Sequence, residues 1–270
     1  ESLDGDIENI KKIIEDSHEV SSLIKKAKKP LIIFGQSSLK TKSAKYIFES
    51  VKSFLKKNNK MSDEWNSLNT ISENASTVGS FDLGLYKTVD GSNEVLKDLE
   101  NHMFEIVYLL GVDNLKFEKK NEFVIYQGSH GDKGAEIADI ILPGAAYTEQ
   151  NGYFTNLEGK IQKAYKASFP PEEAKEDWLI INELAETMNH RKLFNDKDEL
   201  DSSLLNQINL FIEKDKSIKS STVENVEFKQ EILKVENEDY YYSNAIARAS
   251  KTMLECKTAK VNLKLTGTEG

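Results

Sequence analysis

With 270 residues, 39% of them hydrophobic, the chain is long enough for one or two domains with a sizeable core, yet no run approaches the roughly 18 consecutive apolar residues of a membrane-spanning helix. Its 45 acidic and 36 basic residues give a formal charge of −9, with the lysines scattered among carboxylates, which excludes the basic stripe of a nucleic-acid binder. The single cysteine, Cys256, excludes an internal disulfide, a CxxC zinc site and an iron–sulfur cluster held by this chain alone, and it fits a reducing compartment.

Glu1 stands where an initiator methionine would, and the opening segment is charged and amphipathic instead of signal-like, so the chain reads as a piece of something longer. Ile7, Ile10, Ile13 and Ile14, then Val20, Leu23, Ile24 and Ala27, predict two short helices, the second capped by Ser17. Pro30 opens the run Leu31–Gly35, expected as a strand buried on both faces. After Gly35-Gln36-Ser37-Ser38 a helix starts near Ser43, with Ile47, Phe48, Val51, Phe54 and Leu55 at three-and-four spacing, which makes half a βαβ unit. The stretch from Lys60 to Gly91 is irregular, and a helix around Val95, Leu96 and Leu99 follows it. Three more apolar runs, Ile106–Leu110, Phe123–Tyr126 and Ile140–Leu142, each lead into glycine.

These runs predict an α/β fold: a doubly wound, mostly parallel sheet with a small β-hairpin excursion and C-terminal helices. Ligands of such sheets bind outside the carboxyl ends of the strands, which directs attention to the loops at Gly35, Gly111, Gly128 and Gly144. The excursion is expected to turn at Asn151-Gly152 and again at Glu158-Gly159. Pro170-Pro171 ends it, and helical spacing runs over 172–188. Residues 191–238 read as one exposed helix and a mobile connection, Ser243–Cys256 as a capped helix, and Lys257–Gly270 as a loose tail. The corresponding division is an α/β domain over 1–190 and a helical extension over 191–270.

Candidate chemistry is sparse. The run Gln127-Gly128-Ser129-His130-Gly131-Asp132-Lys133-Gly134-Ala135 lets backbone N–H groups approach an anion at a helix start, or is simply a tight strand-to-helix turn with Asp132 satisfying backbone donors. Ser129 beside His130 matches no strained GxSxG elbow and no triad order. Glu149 and Glu158 are carboxylates without a fixed relation, and Gly35-Gln36-Ser37-Ser38 is a turn common to this fold class. Cys256 reads as a packed or exposed free thiol, and Tyr240-Tyr241-Tyr242 either anchors a partner or packs on its own domain. Only Arg191 and Arg248 are arginines, so a site of several guanidinium forks cannot be built.

The GxHGDxGA run over 128–135 and the pattern ADxxLPxxxxxExxGxxxNxEGxxQ over 138–162 together resemble the family of the 75 kDa iron–sulfur subunit of respiratory complex I. That family serves NADH:quinone oxidoreductase and is a branch of the molybdopterin oxidoreductases. The likeness extends from Ala27–Gly35 through Phe81–Gly84 and Lys175–Trp178 to Ile246–Met253, and reads as the C-terminal portion of such a subunit. It implies that the 4Fe-4S and 2Fe-2S clusters passing electrons from NADH toward quinone lie in an N-terminal portion, whose cysteine ligands are not in this chain. It further implies a vestigial pterin-type loop of Thr148, Glu149, Asn151, Gly152, Asn156, Glu158 and Gly159 with no cofactor, no metal and no catalytic residue in this segment. Lys160 departs from the arginine usual there, which weakens anion binding.

On this resemblance the partners are other peripheral-arm subunits and the N-terminal portion of the same polypeptide, with no nucleic acid and no membrane insertion. The location is peripheral, on the cytoplasmic face of a bacterial inner membrane or the matrix side of a mitochondrial one. The expected role is therefore a non-catalytic assembly segment of an oxidoreductase. The alternatives are a fragment of a molybdopterin enzyme such as a formate dehydrogenase, in which the loop lines the pterin, and a nucleotide-binding module.

Overall fold

The isoleucines near the start fold as two helices, α1 (Ile7–Ile14) and α2 (Glu19–Lys26), in a computed structural model that describes residues 5–62, 64–72, 74–75, 77–85, 95–113, 115, 117–215, 227–232 and 239–266. The described residues divide into two units, one drawn from 1–78, 156–160 and 213–237, the other from 79–155, 161–212 and 238–270.

In the first unit Asp6 caps α1 by accepting the Glu8 amide at 2.9 Å. The cap of α2 is His18, whose Nδ1 accepts the Val20 amide; Ser17, expected there, instead turns its hydroxyl back to the Lys12 carbonyl. Strand β1 (Ile32–Gly35) leads directly into a single helical turn, α3 (Gln36–Leu39), and then into α4 (Ala44–Lys57). A parallel partner, β2 (Leu68–Ile71), lies in the stretch that looked irregular, and its register pairs Ile32 with Leu68 and Phe34 with Thr70. The core gathers Ile7, Phe34, Ile47, Val51, Leu55 and Leu68 from α1, β1, α4 and β2. Truncating a fully enclosed member such as Leu55 to alanine costs about 2–5 kcal/mol. β1 is buried on one face only, not on both: Phe34 is enclosed while Ile33 is half exposed. Residues 227–232 complete this unit. The Ser43 hydroxyl exchanges two 2.7 Å hydrogen bonds with the backbone of Lys229, and Phe228 packs edge-on against Tyr46.

Helix α5 (Thr77–Asp82) leads into the second unit, where α6 (Val95–Glu100) precedes β3 (Ile106–Leu110). β3 pairs in parallel with β4 (Phe123–Gly128), which pairs in parallel with β5 (Ile140–Pro143), and the short α7 (Lys133–Glu136) connects the latter two. The fold class is α/β as expected, but the parallel strands form a two-stranded and a three-stranded sheet instead of a single four-stranded layer.

The hairpin β6 (Gly152–Thr155) and β7 (Ile161–Ala164) is present, and of the two expected turns the one at Glu158-Gly159 makes its reversal while the one at Asn151-Gly152 does not. Gly152 is the first residue of β6. The chain turns instead at 156–159, where the Asn156 carboxamide oxygen accepts the amides of Glu158 and Lys160 and Gly159 takes a φ of +77°. That φ lies in the left-handed region glycine tolerates best.

Helix α8 (Asp177–Asn189) starts five residues later than the periodicity over 172–188 suggests, because 171–174 closes a turn of its own and Lys175 then bridges to Pro143 and Ala145 at the end of β5. Helix α9 (Lys197–Asp215) is held to the hairpin by buried Asp201, whose Oδ2 accepts Lys163 at 2.8 Å and the Tyr153 hydroxyl at 3.2 Å, while Lys197 on α9 pairs ionically with Oδ1 at 3.1 Å. Burial pushes the Asp201 carboxyl up, yet the two lysines outweigh it and hold it below the usual carboxylate range. The expected connection falls largely on 216–226 and 233–238, outside the described residues.

The C-terminal part is more helical than expected. A 3-10 turn (Tyr240–Tyr242) is followed by α10 (Ala245–Ala249) and α11 (Lys251–Thr266), separated by an extended Ser250. The supposed single helix is thus two, and the tail is helical to Thr266, with 267–270 outside the described residues. Tyr242 and Tyr241 lie under Lys257 and Lys260 of α11, whereas Tyr240 remains exposed. Cys256 is an exposed free thiol. Among the described residues no helix is long and apolar enough to cross a membrane.

Candidate functional site

A cleft of about 620 Å³ opens at the carboxyl ends of β4 and β5, bounded by Gly128, Ser129, His130, Pro143, Gly144 and Glu149 and closed on the far side by 171–174. This is where the architecture favours a ligand, and two of the four glycine loops singled out from the sequence meet here. The other two do not. Gly35 ends β1 and precedes α3, whose Ser38 hydroxyl returns to the Gly35 carbonyl at 2.6 Å, and Gly111 makes a turn at φ +62°.

Beside the strand ends lies a closed polar network. Gln127, fully enclosed, donates its amide to Asp177 Oδ1 at 2.8 Å, and Gln150 donates to Asp177 Oδ2 at 2.8 Å while its own carbonyl oxygen accepts the Asp177 amide at 3.2 Å. The Tyr108 hydroxyl donates to the Gln127 carbonyl oxygen. Burial, with the nearby Asp177 charge, pushes the Tyr108 hydroxyl above its usual range. Each carboxylate oxygen of Asp177 thus has a side-chain amide partner within the protein. Gly144 is glycine for this reason: a Cβ there would stand 2.7 Å from Asp177 Oδ1.

The glycine-rich loop after β4 is equally occupied. Asp132 accepts the Lys133 amide at 2.9 Å at the start of α7 and also holds the Arg248 Nε at 2.6 Å. The second fork of Arg248 reaches Asp113 at 2.8 Å. Burial raises the Asp132 carboxyl, but the Lys133 amide and Arg248 outweigh it and keep it below the ordinary range. The plainer reading of this run, a tight turn with Asp132 serving backbone donors, is therefore the observed one, with an ion pair added that sequence reasoning missed. The available signal was rarity: Arg248 is one of only two arginines among 36 basic residues.

Ser129 Oγ lies 3.0 Å from His130 Nδ1. Both residues are on the exposed loop, and no described carboxylate orients the imidazole, so the pair lacks the third member that makes a serine nucleophilic.

Most residues of the pterin-type loop make local contacts of their own. Glu149 borders the cleft but turns one carboxylate oxygen to the Ala146 amide at 2.9 Å. The Thr148 carbonyl accepts the amides of Ala167 and Ser168, and Asn151 accepts the Lys166 amide at 2.9 Å. Asn156, Glu158 and Gly159 build the hairpin reversal, and Gly152 begins β6. Among the described residues no group of three or more His, Cys, Asp or Glu is arranged to hold a metal ion.

Residues 1–187 match the family model described as molybdopterin oxidoreductase, and residues 209–256 match that of the C-terminal region of the NADH-ubiquinone oxidoreductase G subunit. The chain is 35% identical to the NADH-ubiquinone oxidoreductase 75 kDa subunit of Reclinomonas americana, over 96% of this chain and 38% of that protein. It is 36% identical to the NADH-quinone oxidoreductase G subunit of Rickettsia bellii, over 99% of this chain and 38% of the relative. Against the mitochondrial NADH-ubiquinone oxidoreductase 78 kDa subunit of Candida albicans the identity is 34%, over 88% of this chain and 34% of the relative. The chain thus spans well under half the length of these curated relatives.

Proposed function

Since the chain belongs to the molybdopterin oxidoreductase family, whose model covers residues 1–187, we propose that it is the non-catalytic C-terminal part of the 75 kDa-type iron–sulfur subunit of NADH:quinone oxidoreductase. In this role it is an assembly scaffold for a subunit whose iron–sulfur clusters, outside these 270 residues, carry electrons from NADH toward quinone. The two family matches in one chain support the identity.

The observation that carries the non-catalytic role is the lining of the cleft. The family name implies a pterin, and molybdopterin carries phosphate, so its site needs cations or free backbone donors. The described lining instead presents Glu149, Glu172 and Glu173 with one histidine and no lysine or arginine. Three carboxylates repel such an anion. These residues do not fit the cofactor, and no reaction step is assigned to it.

The partners on this reading are the remainder of the same iron–sulfur subunit and neighbouring subunits of the peripheral arm, on the cytoplasmic or matrix side of the membrane. Two measurements test it. Elemental analysis of the native full-length subunit should show iron without molybdenum; stoichiometric molybdenum would make the chain part of a pterin enzyme. Deleting the segment should abolish assembly of the complex, and a fully assembled, active complex without it would refute the scaffold role.

A further inference from the structure

Helix α11 has 16 residues, a length of about 24 Å at 1.5 Å per residue. Among its described side chains, those of 251–262, none is buried. The helix packs on the tyrosine turn and on α10. There Lys257 pairs with Asp239 and lies over the Tyr242 ring at 4.1 Å, and Lys260 lies over Tyr241 at 5.6 Å. These contacts account for one side. On another, Leu254, Thr258 and Val261 fall in line at spacings of four and three, and Leu254 and Val261 are 53% and 51% exposed. Helices near this length are marginal in water without a packed apolar face, and Thr252, Thr258, Val261 and Asn262 are weak helix formers. The stripe is where α11 lacks the packing that steadies a helix.

The helix is also opposite in charge to the chain that carries it. Lys251, Lys257, Lys260 and Lys264 against the single carboxylate Glu255 give α11 a formal +3, whereas the whole chain carries −9, so the remainder stands at −12. Asp239 is the one carboxylate among the described residues that pairs with a lysine of α11; Lys251, three residues before Leu254, and Lys260 have none. We infer that α11 docks on a neighbouring protein subunit, with Leu254 and Val261 entering an apolar groove and Lys251 meeting its acidic rim. The inference rests on the proposed place of the chain in a multisubunit oxidoreductase. Helix-in-groove recognition reads apolar anchors at this spacing, and complementary rim charges select and orient the partner. Two other occupants fit less well. Two-fold pairing of two copies would set α11 against itself, lysine against lysine. An anionic membrane surface would attract the lysines, but α11 has no aromatic residue to anchor at the interface, and the −12 of the remainder would be repelled.

Site-specific photocrosslinking in the assembled complex identifies the occupant. A benzophenone amino acid replaces Leu254 or, in a second variant, Val261; both are exposed, so neither replacement disturbs a core. The captured peptides are then sequenced by mass spectrometry. The expected result is that both positions capture the same segment of one other subunit, a segment flanked by aspartate or glutamate. Lys251→Glu should then accelerate amide exchange over 251–262 in the complex about fivefold, and reversing the captured segment's carboxylate to lysine should restore the original rate. Capture of this subunit's own polypeptide, of a second copy or of lipid overturns the inference, as does the absence of any crosslink in both variants. Capture of another subunit with exchange indifferent to Lys251→Glu removes the acidic rim and overturns it too. A complex that assembles fully without these 270 residues refutes the scaffold reading, whereas an uncaptured α11 in a complex that requires the segment refutes the docking alone.

Discussion

Replacing Arg248 by methionine should loosen α10 from the loop that carries the GDxG run, and the structure bounds by how much. Arg248 makes two charge-assisted contacts, Nε to Asp132 at 2.6 Å and a terminal nitrogen to Asp113 at 2.8 Å. Hydrogen bonds to charged groups contribute roughly 1.5–3 kcal/mol each. Side-chain exposures of 23% for the arginine and 17% and 21% for the two carboxylates admit enough solvent to screen the pair. Asp132 also keeps its bond from the Lys133 amide. Discounting both contacts accordingly leaves about 2 kcal/mol, which corresponds to about 30-fold faster local opening. Amide hydrogen exchange over 245–249 in the intact complex should accelerate by that factor. Arg248→Lys, a point charge that cannot fork to two carboxylates, should give about fivefold. Arg191→Met, at an exposed position, should leave that segment unchanged. Acceleration below about twofold in the methionine variant would show that α10 is held by other contacts.

Further outcomes follow from other contacts. Gly134→Ala places a Cβ 2.6 Å from the Val112 carbonyl and 2.9 Å from the Tyr126 ring, so backbone must move and stability should fall by about 1–3 kcal/mol in a thermal or urea melt. Asp201→Asn removes the charge that holds Lys163 and Lys197 and should cost about 1–3 kcal/mol, read as faster proteolysis at Lys197; resistance equal to the wild type would contradict the anchoring role. Glu122 gives a pH dependence. The Lys120 amide, its own amide and then His102 at 2.6 Å lower its carboxyl from 4.5 to about 2. A folded value below the unfolded one means that its contribution is fully present above about pH 4.5 and is lost as the pH falls toward 2. Unfolding midpoints measured across that window should fall, and Glu122→Gln should flatten the fall.

The periodicity of apolar residues located most elements, because it reports which side chains must leave water irrespective of partner. α4, β3, β4 and β5 all lie where their three-and-four spacing or apolar runs place them. What periodicity could not show was pairing. β2 carries Asn69 and Thr70 between Leu68 and Ile71, so it lacks a continuous apolar run, and its strand conformation comes from the ladder with β1. Turn chemistry misled at Asn151-Gly152 for a related reason. The Asn151 side chain is engaged by the Lys166 amide across the hairpin, whereas Asn156 has the geometry to fold the next four residues back on itself. The late start of α8 shows the same rule: 171–174 closes a turn and the Lys175 backbone finds partners at the end of β5 before the helix can begin. The site was legible as a place, at the ends of β4 and β5, but not as a network. Gln127 and Asp177 lie fifty residues apart, and nothing local in either sequence marks the other.

A glycine pattern made for the approach of a ligand and one made for the approach of neighbours look alike in sequence, and the two part only when the space at each glycine is considered. Gly134 faces the Val112 carbonyl and the Tyr126 ring, Gly144 faces Asp177, and a Cβ on Gly128 would stand within 3 Å of the Tyr126 phenol. In a loop held open for phosphate, the missing Cβ atoms would leave backbone N–H groups free toward the cleft. At these three positions they leave room for protein atoms, whereas Gly131 faces open space, and the one carboxylate of the run is paired with Arg248. The carboxylates that do face the cleft, Glu149, Glu172 and Glu173, give it the sign opposite to the one an anionic cofactor needs. The strand ends thus form a cleft of the shape such folds use for ligands, while Asp132 and Asp177 beside it are engaged by groups of the chain itself, and it is from these residues, which first suggested a ligand, that the proposed scaffold role is argued.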